Sequence, residues 1–433
     1  MIVQVFIWLA TAGIVAIFAH GVRLWFVSRS AAVPPAMAPG AGDGFLFAFL
    51  VPALNEARVI EHTLDRLLSL PVRNCLVLVI DDGSDDGTGR LVGSHSDPRV
   101  HLLRRDLPHA RQGKGAALNA GFRWLLQEVG EWPADQVIVV IMDADGRLDR
   151  QAPDRAAECF ADPGVGAVQV GVRINNRGDS VLARLQDMEF VTYTDVFQRA
   201  RDVWGVAGLG GNGQFVRLTA HLDLMPAPWT DGLTEDLEQG LRLICAGWRI
   251  RYRGDVAVHQ QGLASSRRLL RQRSRWFQGH LQAWRQIPGI VRCAPLRTVP
   301  HLLHILMVPA LLLVNVSLLT ALVTMLTGIA VSPVIRSSIA QPWVFLSWYW
   351  LTFVPPLFLT VSVYARHERG LSLRRTILLG HAFAIYSLQW MVVGYWALGR
   401  ILRGRRAWHK TERLIERPTT LTAEAKAVTQ DAP

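Results

Sequence analysis

The stretch FLFAFLVPALNE at residues 45–56 opens with an unbroken apolar run and closes on Asn and Glu. Two later stretches follow the same plan, since Leu76–Ile80 leads into an acidic turn and Val137–Met142 leads into Asp-Ala-Asp-Gly. Short continuous apolar runs are typical of strands that are buried on both faces of a sheet. Apolar residues at helical spacing fill the intervals at 60–68 and 115–129. This alternation predicts an α/β fold with a parallel sheet, whose ligands lie beyond the carboxyl ends of its strands.

The composition indicates that this domain is set among membrane segments. Of the 433 residues, 50% are hydrophobic and only 19% are charged, against about 25% charged residues in an ordinary soluble domain. The net charge is +11, and residues 267–297 hold eight Arg and no Asp or Glu directly before the hydrophobic third of the chain. Basic residues beside membrane spans usually face the cytoplasm and its anionic lipid. The position of the charge therefore argues against a nucleic-acid partner.

The four cysteines indicate a reducing compartment. They stand far apart, at Cys75, Cys159, Cys245 and Cys293, and form no Cys-x-x-Cys pattern. Such spacing fits neither a disulfide framework nor a zinc site.

The N-terminal apolar run predicts a retained membrane anchor. Residues 2–19 are almost entirely apolar and long enough to span a bilayer. A cleaved signal peptide is the alternative, but no Lys or Arg precedes the run, as the first region of such a peptide requires. Arg23 and Arg29 follow the run instead. We therefore assign residues 1–27 to a transmembrane anchor and residues 28–44 to a linker.

The C-terminal part is predicted to be embedded in the membrane, with an open question of topology. We assign amphipathic interface helices to 263–297, a transmembrane region to 298–400 and a basic tail, cytosolic or disordered, to 401–433. The transmembrane region holds hydrophobic stretches at 299–331, 343–365 and 376–399. The loop 366–375 and the tail are both basic and both favour the cytoplasm, although one span would separate them. Either the last stretch is re-entrant or interfacial, or the tail breaks the rule.

Asp143 and Asp145 directly follow the third predicted strand. Residues i and i+2 of an extended chain point to the same face, so their carboxylates are expected to converge. Two converging anions repel each other unless a cation lies between them, and hard oxygen ligands suit Mg²⁺ or Mn²⁺ shared with phosphate oxygens. A lone Asp-x-Asp is common by chance, but its position after a buried strand favours the metal-binding interpretation.

The other polar clusters each allow a structural and a functional interpretation. The acidic turns after the first two strands fit turn and cap chemistry, or carboxylates that line one crevice. Lys114 stands between two glycines before a helix, where backbone N–H groups can bind phosphate, although the P-loop spacing is missing. The glycine-rich segment 208–215 fits either a close approach to a ligand or a plain loop. Glu235 and Asp236 follow Thr234 at a predicted helix start, where acids stabilise the helix dipole.

The Arg-rich segment around QRSRW is expected to form one helix with two faces. Leu269 and Phe277 belong to an apolar face, while arginines that include Arg268 mark another. This pattern predicts an amphipathic helix on a membrane surface. We expect Arg275 and Trp276 to face a binding site at the same time.

In chain order, the motifs VPALNE, DDGSDDGT, GKG, DADG, TED and QRSRW resemble the membrane-bound glycosyltransferase family 2. Cellulose, chitin, hyaluronan and poly-N-acetylglucosamine synthases belong to that family. The resemblance covers about 45–285 by motif and the flanking membrane segments by architecture. It implies a Rossmann-like GT-A domain, cytosolic at 45–262, with flanking transmembrane helices. It also implies inverting transfer from a UDP-sugar, with Mg²⁺ or Mn²⁺ as the cofactor.

The resemblance further implies a role for each matching residue. Asp236 would be the catalytic base, with Glu235 beside it. The donor would be bound by Pro52, Asn55, Glu56, Asp81, Asp82, Lys114, Asp143 and Arg275. The acceptor would be bound by Gly213, Gln272 and Trp276, and the metal by Asp143 and Asp145.

The implied partners are a UDP-sugar donor, a polysaccharide or glycolipid acceptor and the lipid bilayer, with room for an accessory export or regulatory subunit. The implied location is the inner (plasma) membrane, as a multi-pass protein whose catalytic domain faces the cytoplasm. HQQGL at 259–263 departs from the acidic, Pro-containing segment of many polymer synthases, which leaves the sugar and the linkage open.

Three functional hypotheses follow from this resemblance. The chain is a processive polymer synthase, a transferase that adds one sugar to a membrane lipid, or a non-catalytic membrane subunit. The last is expected to lack Asp236 or one carboxylate of the Asp-x-Asp pair, and the chain keeps all three.

Overall fold

The computed structural model describes residues 19–29, 40–307, 327, 330–334, 337, 341–368 and 370–404. Most of the N-terminal apolar run, the greater part of 299–331 and the tail from residue 405 lie outside the described residues. The anchor, the linker and the tail therefore stay predictions.

An eight-stranded mixed sheet forms the centre of the domain, in the order β3-β2-β1-β4-β7-β6-β8-β5. The strands are β1 Leu46–Ala53, β2 Asn74–Asp81, β3 Val100–Arg104, β4 Val137–Ile141, β5 Arg147–Leu148, β6 Val165–Ile174, β7 Gln214–Arg217 and β8 Arg249–Gln260. The first four strands are parallel, as the sequence predicts. β7 runs antiparallel to both β4 and β6, so the sheet is mixed beyond the parallel strands that the sequence predicts. Hydropathy does not mark β7, because this strand is short and polar at both ends.

Residues 19–29 are helical and precede the sheet. Further helices lie between and after the strands. They are α1 Ile60–Leu68, α2 Thr88–Gly93, α3 Lys114–Glu128, α4 Ala152–Phe160, α5 Val181–Glu189, α6 Val196–Asp202, α7 Leu218–Leu222, α8 Glu235–Cys245, α9 Ser266–Gln282, α10 Ile287–Cys293, α11 Val299–Leu306, α12 Pro342–Leu359, α13 Ala365–His367, α14 Leu373–Ser387 and α15 Gln389–Leu402. A π-helix, Phe190–Asp195, joins α5 to α6, and a second, Thr360–Tyr364, follows α12. A 3₁₀ turn, Ala283–Gln286, links α9 to α10.

Helices bury both faces of the parallel half of the sheet. On one face Phe49 of β1 packs in a cluster with Ile60 and Leu64 of α1. On the other face Leu50 packs in a cluster with Phe122 of α3. All five side chains are fully or almost fully buried, and each such burial contributes about 1.5–3 kcal/mol. Burial from both sides explains why the strand sequences are apolar throughout.

The strand register brings the polar strand ends together. Ala53 of β1 lies opposite Asp81 of β2, and Leu50 lies opposite Ile141 of β4. The residues that follow these positions therefore emerge at one edge of the sheet, where the site is built.

A second helix covers the apolar face of α9. Phe277 is fully buried and belongs to a cluster with Val393 and Ala397 of α15. Leu269 is also buried, with an exposed fraction of 2%. The prediction that these two side chains lie on a membrane surface is wrong, because they contact protein instead.

Among the described residues, one helical run is long and apolar enough to cross a membrane. It is Leu373–Leu402, which comprises α14 and α15 and contains an 18-residue stretch with a mean hydropathy of 1.5. Length and composition are the only grounds for this, and buried helices of soluble proteins share both features.

Candidate active site

A cleft of 370 Å³ opens beyond the carboxyl ends of β1, β2 and β4, where the α/β pattern predicts a ligand site. Ten of the residues singled out in the sequence line it: Pro52, Glu56, Asp82, Lys114, Asp143, Glu235, Asp236, Gln272, Arg275 and Trp276. The remaining four, Asn55, Asp81, Asp145 and Gly213, do not line the cleft. The structure therefore brings residues from six separate motifs to one place.

Asn55 and Asp81 shape the turns at the ends of β1 and β2. Asn55 has a left-handed backbone with φ of 56°, its N–H donates to Ser84 Oγ at 2.9 Å, and its Oδ1 accepts from the Asp85 N–H at 2.9 Å. Asp81 is fully buried, where it accepts from the Ser84 N–H at 2.9 Å and pairs with Arg104. These bonds tie the two turns to each other.

Asp82 is the acid of the β2 turn that reaches the cleft. It is 4% exposed and forms an ion pair with Arg105, which is itself buried. Burial raises the pKa of the Asp82 carboxyl, and the Arg105 guanidinium opposes that rise. Glu56 stands close by, with its N–H donating to Thr88 Oγ1 at 2.9 Å.

Lys114 links the turn after β4 to the glycine-rich segment 208–215. Its ammonium donates to Asp143 Oδ1 at 2.7 Å and to the Gly211 carbonyl at 2.5 Å. Burial lowers the pKa of Lys114, but the carboxylates of Asp143, Glu235 and Asp236 raise it by more, so the net pKa is raised. Lys114 is thus a fixed cation in the cleft, and the alternative of a solvated lysine is wrong.

The Asp-x-Asp pair stands in a turn and not in an extended strand. The Gly146 N–H donates to the Asp143 carbonyl at 2.8 Å, which closes the chain on itself. The prediction that Asp143 and Asp145 share one face of an extended chain is therefore wrong. Asp143 lines the cleft, whereas Asp145 is fully buried and accepts from the Gln261 N–H at 3.2 Å.

The donor set still fits Mg²⁺ or Mn²⁺. Asp143 and Asp145 offer only carboxylate oxygens, the ligand type that these hard cations prefer. No group of three or more His, Cys, Asp or Glu side chains within the described part of the chain could hold a metal.

Glu235 and Asp236 open helix α8 at the floor of the cleft. Burial raises the pKa of both carboxyls, and repulsion from Asp236 adds to the rise at Glu235. Asp236 Oδ1 accepts from the Leu237 N–H at 2.8 Å. Thr234 occupies the predicted N-cap position, but its side chain makes no capping hydrogen bond. A carboxylate whose pKa is raised in this way is a stronger base than an ordinary one and can accept a proton from a bound hydroxyl group.

Helix α9 forms the opposite wall of the cleft, through Gln272, Arg275 and Trp276. The Arg273 guanidinium stacks on the Trp276 indole at 4.1 Å from the ring centroid. Phe190 meets the same indole edge-on at 6.4 Å. Arg273 in turn donates to Glu189 Oε2 at 2.8 Å. The indole is therefore held by its neighbours rather than free to turn.

Gly213 does not line the cleft but allows the chain to pack closely against strands β6 and β8. Its φ is +67°, and a Cβ atom there would lie 2.7 Å from Val258 and 2.8 Å from Val170. Its neighbour Asn212 does line the cleft, and the Asn212 Oδ1 accepts from the Asp143 N–H at 3.1 Å. The acceptor role implied for Gly213 stays a prediction.

Sequence reasoning missed Glu189, Arg273 and His280. His280 lines the cleft one helical turn after Trp276 and bonds the Trp276 carbonyl through Nδ1 at 2.9 Å. Burial lowers its pKa. The i+4 spacing from Trp276 would have indicated His280, and Arg273 lies inside a recognised motif. Glu189 has no comparable signal.

Comparison with known proteins agrees with this geometry. Residues 44–279 match the family described as "Glycosyltransferase like family 2". The poly-beta-1,6-N-acetyl-D-glucosamine synthase of Staphylococcus aureus (strain COL) is 30% identical over 234 residues, which cover 53% of each chain. The beta-monoglucosyldiacylglycerol synthase of Synechocystis is 32% identical over 247 residues, 55% of this chain and 49% of that one. The chain thus matches about half the length of these curated relatives.

A solved structure shares the fold. The mannosyltransferase PcManGT of Pyrobaculum calidifontis, in complex with GDP-Man and Mn²⁺, aligns with a TM-score of 0.59 at 22% identity, over 89% of this chain and 98% of that one. The mixed open sheet is typical of GT-A glycosyltransferases. Because the family match spans more than half of the chain and includes every motif of the cleft, this protein belongs to glycosyltransferase family 2 and carries its transferase domain.

Proposed function

We propose that this chain transfers a sugar from a UDP-sugar to a growing β-linked polysaccharide, with inversion at the anomeric carbon and export across the membrane. One observation carries the proposal. Two neighbouring carboxylates, the buried Glu235 and the half-buried Asp236, stand in one cleft with a fixed cation, Lys114, and with an aromatic wall formed by Trp276. Such a cleft offers a base, charge for a leaving group and a surface for a sugar ring.

At the donor end, the acids of the first two strand turns would receive the nucleoside. Asp82 lines the cleft directly, with Pro52 and Glu56 beside it. Asn55 and Asp81 would act by shaping the turns, because they bond to backbone groups of the β2 turn. Carboxylates at such a turn can accept hydrogen bonds from ribose hydroxyls and base N–H groups.

At the diphosphate, the chain supplies two cations of its own. Lys114 and Arg275 would bind the phosphate oxygens and offset the negative charge that develops as UDP departs. The carboxylates of Asp143 and Asp145 would hold Mg²⁺ or Mn²⁺, which supplies further charge neutralisation when bound.

In the transfer step, Asp236 would take the proton of an acceptor hydroxyl. The hydroxyl oxygen then bonds to the anomeric carbon, and the bond to the UDP oxygen breaks with its electron pair on UDP. Attack from the face opposite the leaving group inverts the centre, so an α-linked donor yields a β-glycoside. A well-placed base of this kind contributes about 10²–10⁴-fold in rate.

At the acceptor end, Gln272 and Trp276 would hold the receiving sugar. An indole can stack on successive sugar rings, because stacking does not depend on one particular arrangement of hydroxyl groups. Such a contact suits a polymer that must move past it as it grows. The cleft also reaches Phe190 and Ile305, and Ile305 belongs to α11 at the start of the C-terminal apolar region. The exit of a glycan toward the membrane would follow this direction.

We further propose a location at the inner (plasma) membrane, with several spans and a cytoplasmic catalytic domain. The apolar run Leu373–Leu402 and the Arg-rich segment before it support membrane attachment. An accessory export or regulatory subunit is compatible with this arrangement.

A second candidate is transfer of a single sugar to a membrane lipid. The observation that favours it is the match to a beta-monoglucosyldiacylglycerol synthase, which is as similar in sequence as the match to a polymer synthase. The same donor end would serve both reactions, and only the acceptor differs.

Product size distinguishes the two candidates. Membrane vesicles containing the full chain would be incubated with a panel of labelled UDP-sugars and GDP-mannose in the presence of Mg²⁺. We expect high-molecular-weight product from one UDP-sugar and none from matched vesicles carrying Asp236→Asn. Label that extracts wholly with lipid would support the second candidate, and transfer from GDP-mannose alone would overturn the UDP assignment.

A further inference from the structure

The helical run Leu373–Leu402 is long enough to cross a bilayer. It nevertheless contacts the rest of the protein in its middle and near its end. Just before the run, Glu368 pairs with Arg173 of β6 and with Arg177, the latter at 2.8 Å. At the end of the run, Arg400 donates to Gln278 Oε1 of α9 at 2.8 Å. Residues at both ends of the run therefore contact residues 44–279, the part of the chain that matches the transferase family.

The middle of the run is held by the same domain. Tyr386 donates to Glu189 Oε2 at 2.7 Å and Trp390 Nε1 donates to Glu189 Oε1 at 3.2 Å. Leu379 and Phe383 share a buried cluster with Leu185 of α5. A helix that left the domain to cross a membrane would lose contact with it along its length.

The packing of α15 against α9 shows which residues of the run lie beside the arginines of α9. α15 runs parallel to α9, because Arg273 lies over Trp390 at 5.8 Å while Phe277 shares a cluster with Val393 and Ala397. At about 1.5 Å of rise per residue, the start of α9 is level with residues 384–388, the middle of the run. Three exposed arginines stand there: Arg267, Arg268 and Arg271.

A transmembrane orientation would place those arginines near the centre of the bilayer. Each guanidinium at that depth costs about 2.5–3.5 kcal/mol on insertion scales. An orientation parallel to the membrane surface leaves all three arginines near the headgroups and incurs no such cost. The charge distribution therefore favours the parallel orientation.

The outward face of the run matches a lipid surface. Leu378, Ile385, Leu388 and Val392 are between 52% and 62% exposed and recur at helical spacing. Arginines stand near both ends, at Arg374, Arg375 and Arg403, and no Asp or Glu occurs from 373 to 403. An apolar stripe between basic ends is complementary to an anionic bilayer surface.

We infer that Leu373–Leu402 lies in the plane of the membrane, with its apolar stripe in the interface and its arginines on anionic headgroups. This inference rests on the membrane attachment proposed above. It resolves the topology question raised by the sequence, because the basic loop before the run and the basic residues after it then face the same side. It also means that the bilayer supports Tyr386 and Trp390, which hold Glu189 beside the cleft.

Labelling from one side of the membrane tests the inference. The four native cysteines would be replaced by serine in the full chain, and single cysteines introduced as Ser372→Cys or Gly404→Cys, with Ser94→Cys on the catalytic domain as the reference. Each protein in sealed inside-out vesicles would meet an impermeant maleimide, and total labelling would be measured in detergent. We expect both ends to be labelled from the outside to within about twofold of the reference. An end that is labelled only in detergent would overturn the inference.

Depth measurements provide an independent test. Spin labels at Leu378, Ile385 and Val392 in anionic vesicles would report depth through their accessibility to oxygen and to a water-soluble relaxant. The in-plane orientation predicts equal, shallow depths, whereas a transmembrane helix predicts the greatest depth at Ile385, near the middle of the run, and shallower depths at Leu378 and Val392. Flotation of the protein with the vesicles separates a failure of this inference from a failure of membrane attachment itself.

Discussion

The two ends of the cleft are held together in different ways. At the donor end the hydrogen bonds join residues close in sequence: Asp81 to Ser84 over three positions and Asn55 to Ser84 over 29. At the acceptor end, Glu189 joins Arg273 over 84 positions and Trp390 over 201. The donor end is therefore built by strand ends of one sheet, whereas the acceptor end depends on elements assembled late in the chain.

This difference implies that donor binding and acceptor binding depend on different parts of the chain. A site carried by adjacent strand ends changes little when distant helices move, which suits a donor that is the same in every cycle. A site held by a helix from the C-terminal region can change its shape when that helix moves. Such a change suits an acceptor polysaccharide that must move forward after each sugar is added. Substitutions at the two ends should therefore have separable effects on donor and acceptor.

The largest effect is expected at the floor, which both ends share. Asp236→Asn should lower kcat by at least about 10²-fold while donor binding stays nearly intact, because the amide cannot take the acceptor proton. Single-turnover kinetics and UDP titration would measure the two quantities. Asp231→Asn is the matched control, since its carboxylate lies a few residues earlier and is 83% exposed. Normal turnover by Asp236→Asn would reduce this acid to a helix-capping role.

Removal of divalent cations should act on the donor end alone. Excess EDTA should lower transfer by at least about 10²-fold, because charge stabilisation of the leaving diphosphate amounts to several kcal/mol. Added Mg²⁺ or Mn²⁺ should restore it. Acceptor binding, measured by titration with an oligosaccharide, should not change. Full activity in EDTA would contradict the assignment of Asp143 and Asp145.

Most of the donor end could be predicted from the sequence, and the reason is geometric. An apolar run fixes a buried strand, and the polar residues after it must emerge at the strand end, as Asp82 and Asp143 do. The mutual geometry of Asp143 and Asp145 could not be predicted, because the chain turns immediately after β4. Local hydrogen bonds decide that turn, and hydropathy does not report them.

The acceptor end could be predicted only in part. The motif around Trp276 indicates that α9 contributes, but nothing near Glu189 indicates that its carboxylate accepts from Arg273, Tyr386 and Trp390. Such contacts depend on which helices pack together, and periodicity gives only the face that each helix buries. The same limit explains why Phe277 was expected to face lipid and instead contacts α15.

Glu189→Gln should separate the two ends most clearly. Loss of the charge weakens the hold on Arg273, and hydrogen bonds to charged groups contribute about 1.5–3 kcal/mol. We expect the acceptor KM to rise about tenfold while the donor KM and the binding of UDP stay unchanged. Glu158→Gln is the matched control, because it breaks a buried ion pair with Arg253 away from the cleft. Equal changes in the donor KM and the acceptor KM would contradict the proposal that the two ends of the cleft are held independently.

Lys114→Met should change the pH dependence of the reaction. Asp236 must be ionised to act as the base, so kcat falls as the pH drops through its raised pKa. The Lys114 ammonium lowers that pKa, so its removal should move the acid limb of the kcat profile to higher pH. Lys114→Arg keeps the charge and should keep the limb in place. A limb that does not move would exclude Asp236 as the titrating group.

The smallest expected effect on turnover concerns the contact between the acceptor wall and the floor. Gly279 of α9 packs on Thr234, just before Glu235, and a Cβ atom there would lie 2.5 Å from Thr234 Cγ2. Gly279→Ala should therefore push α9 away from α8 and destabilise the fold by about 1–3 kcal/mol, as overpacking does.

Gly289→Ala is the matched control, because a Cβ at Gly289 meets no atom within 4 Å. Urea unfolding and kcat would be measured for both variants in detergent. We expect the control to match the parent or to gain up to about 1 kcal/mol from helix propensity. The Gly279 variant should lose stability and less than about tenfold in kcat, since a shift of α9 moves Trp276 but leaves Asp236 on its own helix. If both variants behaved alike, the floor and the acceptor wall would not be coupled through this contact.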